Sequence, residues 1–363
     1  MNHGDALEGW LRELVSRGAA DLFLVAGAAP AIRLNGVVMP LPVPPLEGEA
    51  IEVAVLPTLH AQALNRYRND GSADISLRRD GLGRFRVNLH RERGRAAATI
   101  RALPSKPPLL AELGLPPQIE QITRIHHGLI LVGGATGSGK TTTVAALVNE
   151  INARDAKHII TIEDPIEYEH THQRSVVEQV EIGVDAPDFP TALRAALRQA
   201  PDVIMIGEMR DPETMKIALT AGETGHLVLS TLHTTDVTST VARVADSFPP
   251  ERQPTIRQDL AMALGAVLTQ TLLPKVSGGT ASTPLTAGRV PAVELLMVGY
   301  GARQHIRKNA LQHLHQEITI TKRNGSLTLE ECLAQLVRQQ LISADEARTR
   351  AGHLEELESL LRH

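Results

Sequence analysis

Leu129-Ile130-Leu131-Val132-Gly133-Gly134-Ala135-Thr136-Gly137-Ser138-Gly139-Lys140-Thr141-Thr142 decides the fold. Four apolar residues run into a glycine-rich turn, and a helix-compatible stretch from about Thr141 to Asn152 follows. The segment from Gly134 to Thr141 fits G-x-x-x-x-G-K-[ST]. Its glycines let the backbone curl so that successive N–H groups face phosphate oxygens, and the helix behind adds its positive end. Lys140 is placed for the β and γ phosphates and Thr141 for Mg²⁺. The expected phosphate cradle is Gly134, Ala135, Thr136, Gly137, Ser138, Gly139, Lys140, Thr141 and Thr142, with ATP and Mg²⁺ as ligands.

Working outward, the same strand-then-helix alternation continues. Strand-like runs at His158–Ile162, Val203–Ile206 and His226–Thr231 are interleaved with helical stretches at 190–199 and 211–222. That pattern predicts an α/β fold with a parallel sheet covered on both faces. Ligands bind such sheets at the carboxyl ends of the strands. Glu163 and Glu208 stand at two of those ends and are candidates to hold the metal and orient water. His226 and His233 bracket a third strand; each is a candidate phosphate reporter, a subunit contact or a structural histidine. Seven residues of strand would separate the pair by about 23 Å, too far to share a metal.

Before the loop the pattern differs. Residues 6–17 form an amphipathic helix, and Asn35-Gly36 marks a hairpin between Ala31–Leu34 and Val37–Met39. Two helices near 47–56 and 58–67 precede strands at Asp74–Leu77, Arg84–Leu89 and Ala97–Leu103. The expected organisation is a small α+β domain over 1–103, a Pro-rich linker over 104–117, and the α/β domain over 118–363. The last ~70 residues read mainly as helix, and the Gly/Ser/Thr-rich stretch 276–289 as a loop.

Composition narrows the function. The 363 residues carry 37 Lys and Arg against 41 Asp and Glu, and only eight aromatic residues. Neither balance suits a nucleic-acid partner, which calls for a basic surface and stacking platforms. No apolar run spans a membrane, and the polar, acidic N-terminus lacks a secretory signal, so the expected compartment is the cytoplasm. One cysteine, Cys332, excludes a cysteine-rich zinc element.

Four motifs in order make the chain similar to the secretion-type hexameric ATPases, and most of all to type IV pilus retraction motors, the PilT-like ATPases. These are the phosphate loop, the acidic box Thr161–Glu167, the stretch Pro201–Asp211, and the histidine box Glu223–Thr234. The resemblance covers nearly the whole chain. It implies a PAS-like N-terminal domain joined flexibly to a RecA-like ATPase domain, in a homo-hexamer with nucleotide between the two domains of each chain. Glu208 would be the catalytic glutamate, and Glu163 would help place water and Mg²⁺. His233 joins the catalytic set and His226 the nucleotide-binding set. Arg86 and Arg101 match the two N-terminal-domain arginines that close on the phosphates. Implied partners are an inner-membrane pilus platform protein and a paralogous motor subunit, with no nucleic acid, and the implied location is peripheral at the inner membrane. Gly301–Lys308 resembles the retraction motif Ala-Ile-Arg-Asn-Leu-Ile-Arg-Glu, with departures at Gly301, His305 and Lys308. The competing functions are a pilus-assembly or type II secretion ATPase, a non-hydrolysing accessory paralogue, and a nucleic-acid translocase.

Overall fold

The computed structural model describes residues 3–276 and 288–362; most of the expected 276–289 loop therefore lies outside the described residues. The chain divides into two compact units, Met1–Lys106 with Asp164–Glu169, and Pro107–Glu163 with His170–His363. Of the Pro-rich stretch 104–117, residues from Pro107 onward belong to the second unit.

The first unit contains α1 (His3–Ser16), β1 (Asp21–Val25), β2 (Ala31–Leu34), β3 (Val37–Pro40), α2 (Gly48–Val55), α3 (Ala61–Asp70), β4 (Ser72–Arg79), β5 (Gly83–Glu92) and β6 (Arg95–Leu103). The strands form one sheet in the order β3-β2-β1-β6-β5-β4, antiparallel throughout. Asn35 and Gly36 both take positive φ, 49° and 84°, as a two-residue hairpin with this twist requires. Phe85, Val87 and Leu89 of β5 are buried, with Ile75 and Leu77 of β4, in a core shared with Leu7, Leu11 and Leu14 of α1. One face of the sheet is thus apolar and the other polar.

The second unit is built on β7 (Gly128–Gly133), α4 (Lys140–Arg154), β8 (His158–Glu163), β9 (Val176–Glu181), α5 (Phe189–Ala196), β10 (Val203–Ile206), α6 (Pro212–Glu223), β11 (Leu227–Leu232), α7 (Val237–Asp246), α8 (Gln253–Ala263), β12 (Leu264–Pro274) and β13 (Arg289–Met297). Five helices close the chain: α9 (Tyr300–Arg307), α10 (Leu314–Ile320), α11 (Leu329–Arg338), α12 (Ala344–Arg350) and α13 (Leu354–Arg362). The sheet order is β13-β12-β7-β11-β10-β8-β9, parallel except where β13 pairs β12. Both faces are covered, so β7, β10 and β11 are apolar at nearly every position and fully buried. Leu129 and Leu131 enter one hydrophobic cluster with α6 and α8, while Ile130 and Val132 enter another with α4 and α11. Helix starts are fixed locally: Asp211 accepts the Thr214 N–H at α6, and Asp236 accepts the Ser239 N–H at α7.

Candidate active site at the phosphate loop

The strand order puts four chemistry-bearing turns side by side at one end of the second unit's sheet. Adjacent strands β7, β11, β10 and β8 end in the phosphate loop, His233, Glu208 and Glu163 respectively. The acids are not on strands adjacent to the loop's own strand. At about 4.8 Å per strand, β10 stands roughly 10 Å from β7, which leaves a phosphate-sized gap.

The loop is shaped for an anion. Gly134, Gly137 and Gly139 all take positive φ, 155°, 78° and 90°. A Cβ on Gly134 would stand 2.6 Å from the Gln270 carbonyl oxygen, and one on Gly139 would meet the Gln270 amide nitrogen at 2.8 Å. The Ser138 hydroxyl is buried with no hydrogen-bond partner among the described residues. Lys140 is 7% exposed, and among the described residues its Nζ donates only to the carbonyls of Gly134 (2.7 Å) and Ala135 (2.9 Å). Burial lowers its pKa, and the charge of Glu208 opposes that shift. A buried ammonium beside an orphaned hydroxyl and a left-handed glycine cradle fits a polyphosphate.

Gln270 was not legible as a site residue. From β12 it donates to the Ser138 carbonyl (2.7 Å) and accepts from Thr143 (2.7 Å), so it ties the end of the loop to the first turn of α4. The signal available in sequence was an amide inside an otherwise apolar run, Leu264–Pro274.

Glu163 is 4% exposed, and one carboxylate oxygen accepts from Thr161 (2.8 Å) and Gln179 (3.2 Å). Glu208 is paired with Arg210 and lies 3.6 Å from His233 Nε2. His233 therefore joins the site, beside Glu208. His226 does not join it. It precedes β11 at the opposite end of the sheet, where its carbonyl accepts from Gly128 and its Nδ1 lies 3.1 Å from the Ala221 carbonyl. Six residues of extended chain carry it about 20 Å from the loop end of β11.

In the first unit, Arg86 and Arg101 are direct cross-strand neighbours on β5 and β6. Arg86 pairs with Asp74 (3.5 Å), and Arg101 with the buried Asp21 (2.7 Å). Within the same unit the buried Arg84, which sequence reasoning passed over, donates to the Ile166 carbonyl (2.8 Å) and pairs with Glu169.

The model of the type II/IV secretion system protein family matches residues 13–359. The chain belongs to that family. It is 39% identical to the type IV pilus retraction ATPase PilT of Pseudomonas aeruginosa, over 92% of this chain and 95% of that one. It is 36% identical to the type IV pilus ATPase PilU of the same organism, over 97% of this chain and 90% of that one. A crystal structure of the pilus retraction motor PilT with bound ADP superposes with a TM-score of 0.86 at 40% identity, covering 97% of this chain and 98% of that one. This PilT-like family member accordingly has the fold of a secretion ATPase, and its likeness to an ADP-bound motor supports nucleotide binding. No helix among the described residues is long and apolar enough to cross a membrane.

Two of the departures in the retraction motif, Gly301 and His305, have a structural account. Helix α9 carries Gly301 where the motif has Ala, and a Cβ there would stand 2.5 Å from Oε1 of Glu317 on α10. That carboxylate lies 3.4 Å from His305, the second departure. Arg303 donates to the carbonyls of Ala261 and Met262 at the end of α8, so it closes a helix terminus. Nothing in the structure explains Lys308.

Proposed function

We propose that the chain hydrolyses ATP to ADP and phosphate and couples the reaction to retraction of a type IV pilus, as a homo-hexameric ring in the cytoplasm, peripheral at the inner membrane. The observation that carries this reading is the near full-length likeness to a retraction motor, joined to a site that holds Lys140, Thr141, Glu163 and Glu208 together. In this mechanism the loop N–H groups and Ser138 bind phosphate oxygens, and Lys140 exchanges its two carbonyl partners for them. Thr141 would hold Mg²⁺, with Glu163 and Glu208 reaching it partly through water; the ion supplies neutralisation of charge on the β and γ oxygens. Glu208 accepts the proton of the attacking water. Glu163, fixed by Thr161 and Gln179, orients that water, and His233 holds Glu208 in position.

Arg86 and Arg101 take charge on the transferred phosphoryl group in this reading. Its support is their register on one face of the sheet and the fixed fork of donors each presents. The partners are an inner-membrane pilus platform protein and a paralogous motor subunit, and no nucleic acid. Deleting the gene and counting surface pili tests the direction of work: retraction predicts surplus pili and lost twitching, whereas bald cells would reassign the motor to assembly. The likeness to PilU favours a second reading, an accessory motor subunit, in which deletion leaves retraction running on the paralogue.

A further inference from the structure

Far along the chain from the phosphate loop, α10, α11 and α13 bring His315, Glu330 and Glu356 together. One ligand atom of each lies within 4.8 Å of the others. His315 Nε2 is 2.8 Å from Glu356 Oε2, and Glu356 Oε1 accepts from the Thr328 hydroxyl at 3.1 Å. Glu330 is 1% exposed; its Oε1 accepts the N–H groups of Gly352 (3.0 Å) and His353 (2.8 Å), and no hydrogen bond reaches its Oε2 among the described residues. The His353 ring stacks on His315 with centroids 3.8 Å apart, so a second imidazole borders the group.

The charges do not balance. Glu294 on β13 stands close enough to Glu330 and His315 to feel both charges, so three carboxylates neighbour the imidazoles of His315 and His353. Among the described residues, no lysine or arginine pairs with any of the three; the single ion-pair partner is His315, on Glu356. Burial first, and then the charges of Asp236 and Glu330, push the Glu294 carboxyl up to about 7, and a bound cation would relieve the same crowding of carboxylates. The donor set decides which cation. Magnesium and calcium take oxygen ligands, whereas one imidazole nitrogen with two carboxylates suits a borderline metal of the zinc type.

We propose that His315, Glu330 and Glu356 form a binding site for a zinc-type divalent cation that staples α10, α11 and α13 together. The bare Oε2 of the buried Glu330, His315 Nε2 and a Glu356 oxygen are its ligands, and contraction of the group to about 3.3 Å between ligand atoms completes it, the spacing that ~2.0 Å metal bonds impose. The site is independent of the phosphate loop and of the proposed motor function.

The test uses the full chain, stripped with chelator and free of nucleotide, titrated with zinc chloride by calorimetry and followed by thermal unfolding. Wild type should bind one zinc per chain and melt at a higher temperature with zinc. His315→Ala and Glu356→Gln should each weaken zinc binding by more than about tenfold and lose most of the melting shift. Glu330 is left intact because it caps the start of α13. Glu356→Gln keeps the side chain's shape and serves as the second variant if His315→Ala does not fold. No saturable zinc binding by wild type, or wild-type zinc affinity in a folded variant, would overturn the site. Magnesium at the same concentration should leave the melting temperature unchanged; an equal shift with magnesium would overturn the assignment of metal type.

Discussion

Two glycines of the second unit sit in opposite circumstances. Gly134 opens the phosphate loop with φ of 155°, and the groups beside its missing Cβ are the Ser138 hydroxyl and, behind it, the backbone carbonyl of Gln270. Gly301 sits in the first turn of α9, and the group beside its missing Cβ is the carboxylate of Glu317, the far end of a flexible side chain. The first glycine is held by backbone that cannot yield, the second by a side chain that can. The difference separates the two regions. Among the described residues the loop leaves Ser138 without a partner and Lys140 on carbonyls alone, as fits a loop built around something outside the chain. In the retraction motif, a gap at Gly301 is filled by a carboxylate that the chain itself supplies.

The strongest way to break the comparison is Lys140→Ala. Removing the one buried ammonium of the loop should abolish ATP turnover and weaken nucleotide binding, while unfolding stays cooperative. Wild-type turnover and nucleotide affinity in the purified variant would show that the loop is not the phosphate site. Next comes Glu208→Gln, which keeps the shape and removes the proton acceptor. It should still bind nucleotide and turn over at least ~100-fold more slowly, the usual effect of losing a positioned base. If Glu163→Gln were the dead variant and Glu208→Gln the active one, the two acids would exchange roles.

Gly134→Ala sharpens the contrast within the loop. A methyl 2.6 Å from a backbone oxygen, at a φ that side chains rarely adopt, should cost about 1–3 kcal/mol and displace Ser138. Both thermal unfolding and nucleotide affinity should fall. A variant as stable as wild type with unchanged affinity would mean that the loop backbone is freer than the Gln270 clamp allows.

Much of this was legible in sequence for an identifiable reason. Strands β7, β8, β10 and β11 are buried on both faces, so each is a short apolar run between turn signals, and the residues at their ends could be named. Strand β9, Val176–Glu181, was not legible because it is the sheet's edge and mixes Val with Glu and Gln without a clean alternation. Strand β12 was hidden because it continues directly from α8 at Ala263 with no proline or turn between them. Gln270 was hidden with it: an amide that clamps a loop more than a hundred residues away has no local signature. His226 could be placed on the strand of His233, but its distance from the loop became plain only once the parallel register paired Leu227 with Gly128 and Leu232 with Gly133. The partnership of Gly301, His305 and Glu317 likewise spans two helices that no periodicity connects.

The smallest expected effect is Gly301→Ala, the substitution that restores the residue of the retraction motif. Ala in a helix gains about 0.5–1 kcal/mol over Gly, because glycine loses more backbone freedom on folding. Against that gain stands the Glu317 carboxylate, which must swing away from the new methyl and leave His305. A partly buried contact of this kind contributes about 0.5–1.5 kcal/mol. The two terms offset, so stability should change by less than about 1 kcal/mol by thermal or urea unfolding, and ATP turnover should stay near wild type. Glu317→Gln in the Gly301→Ala background should then add almost nothing, since the pair is already broken, whereas Glu317→Gln alone should show whatever the pair contributes. A loss above roughly 2 kcal/mol for Gly301→Ala would mean that the carboxylate cannot move. Gly301 would then belong with Gly134, among the positions where the surrounding structure admits no side chain at all.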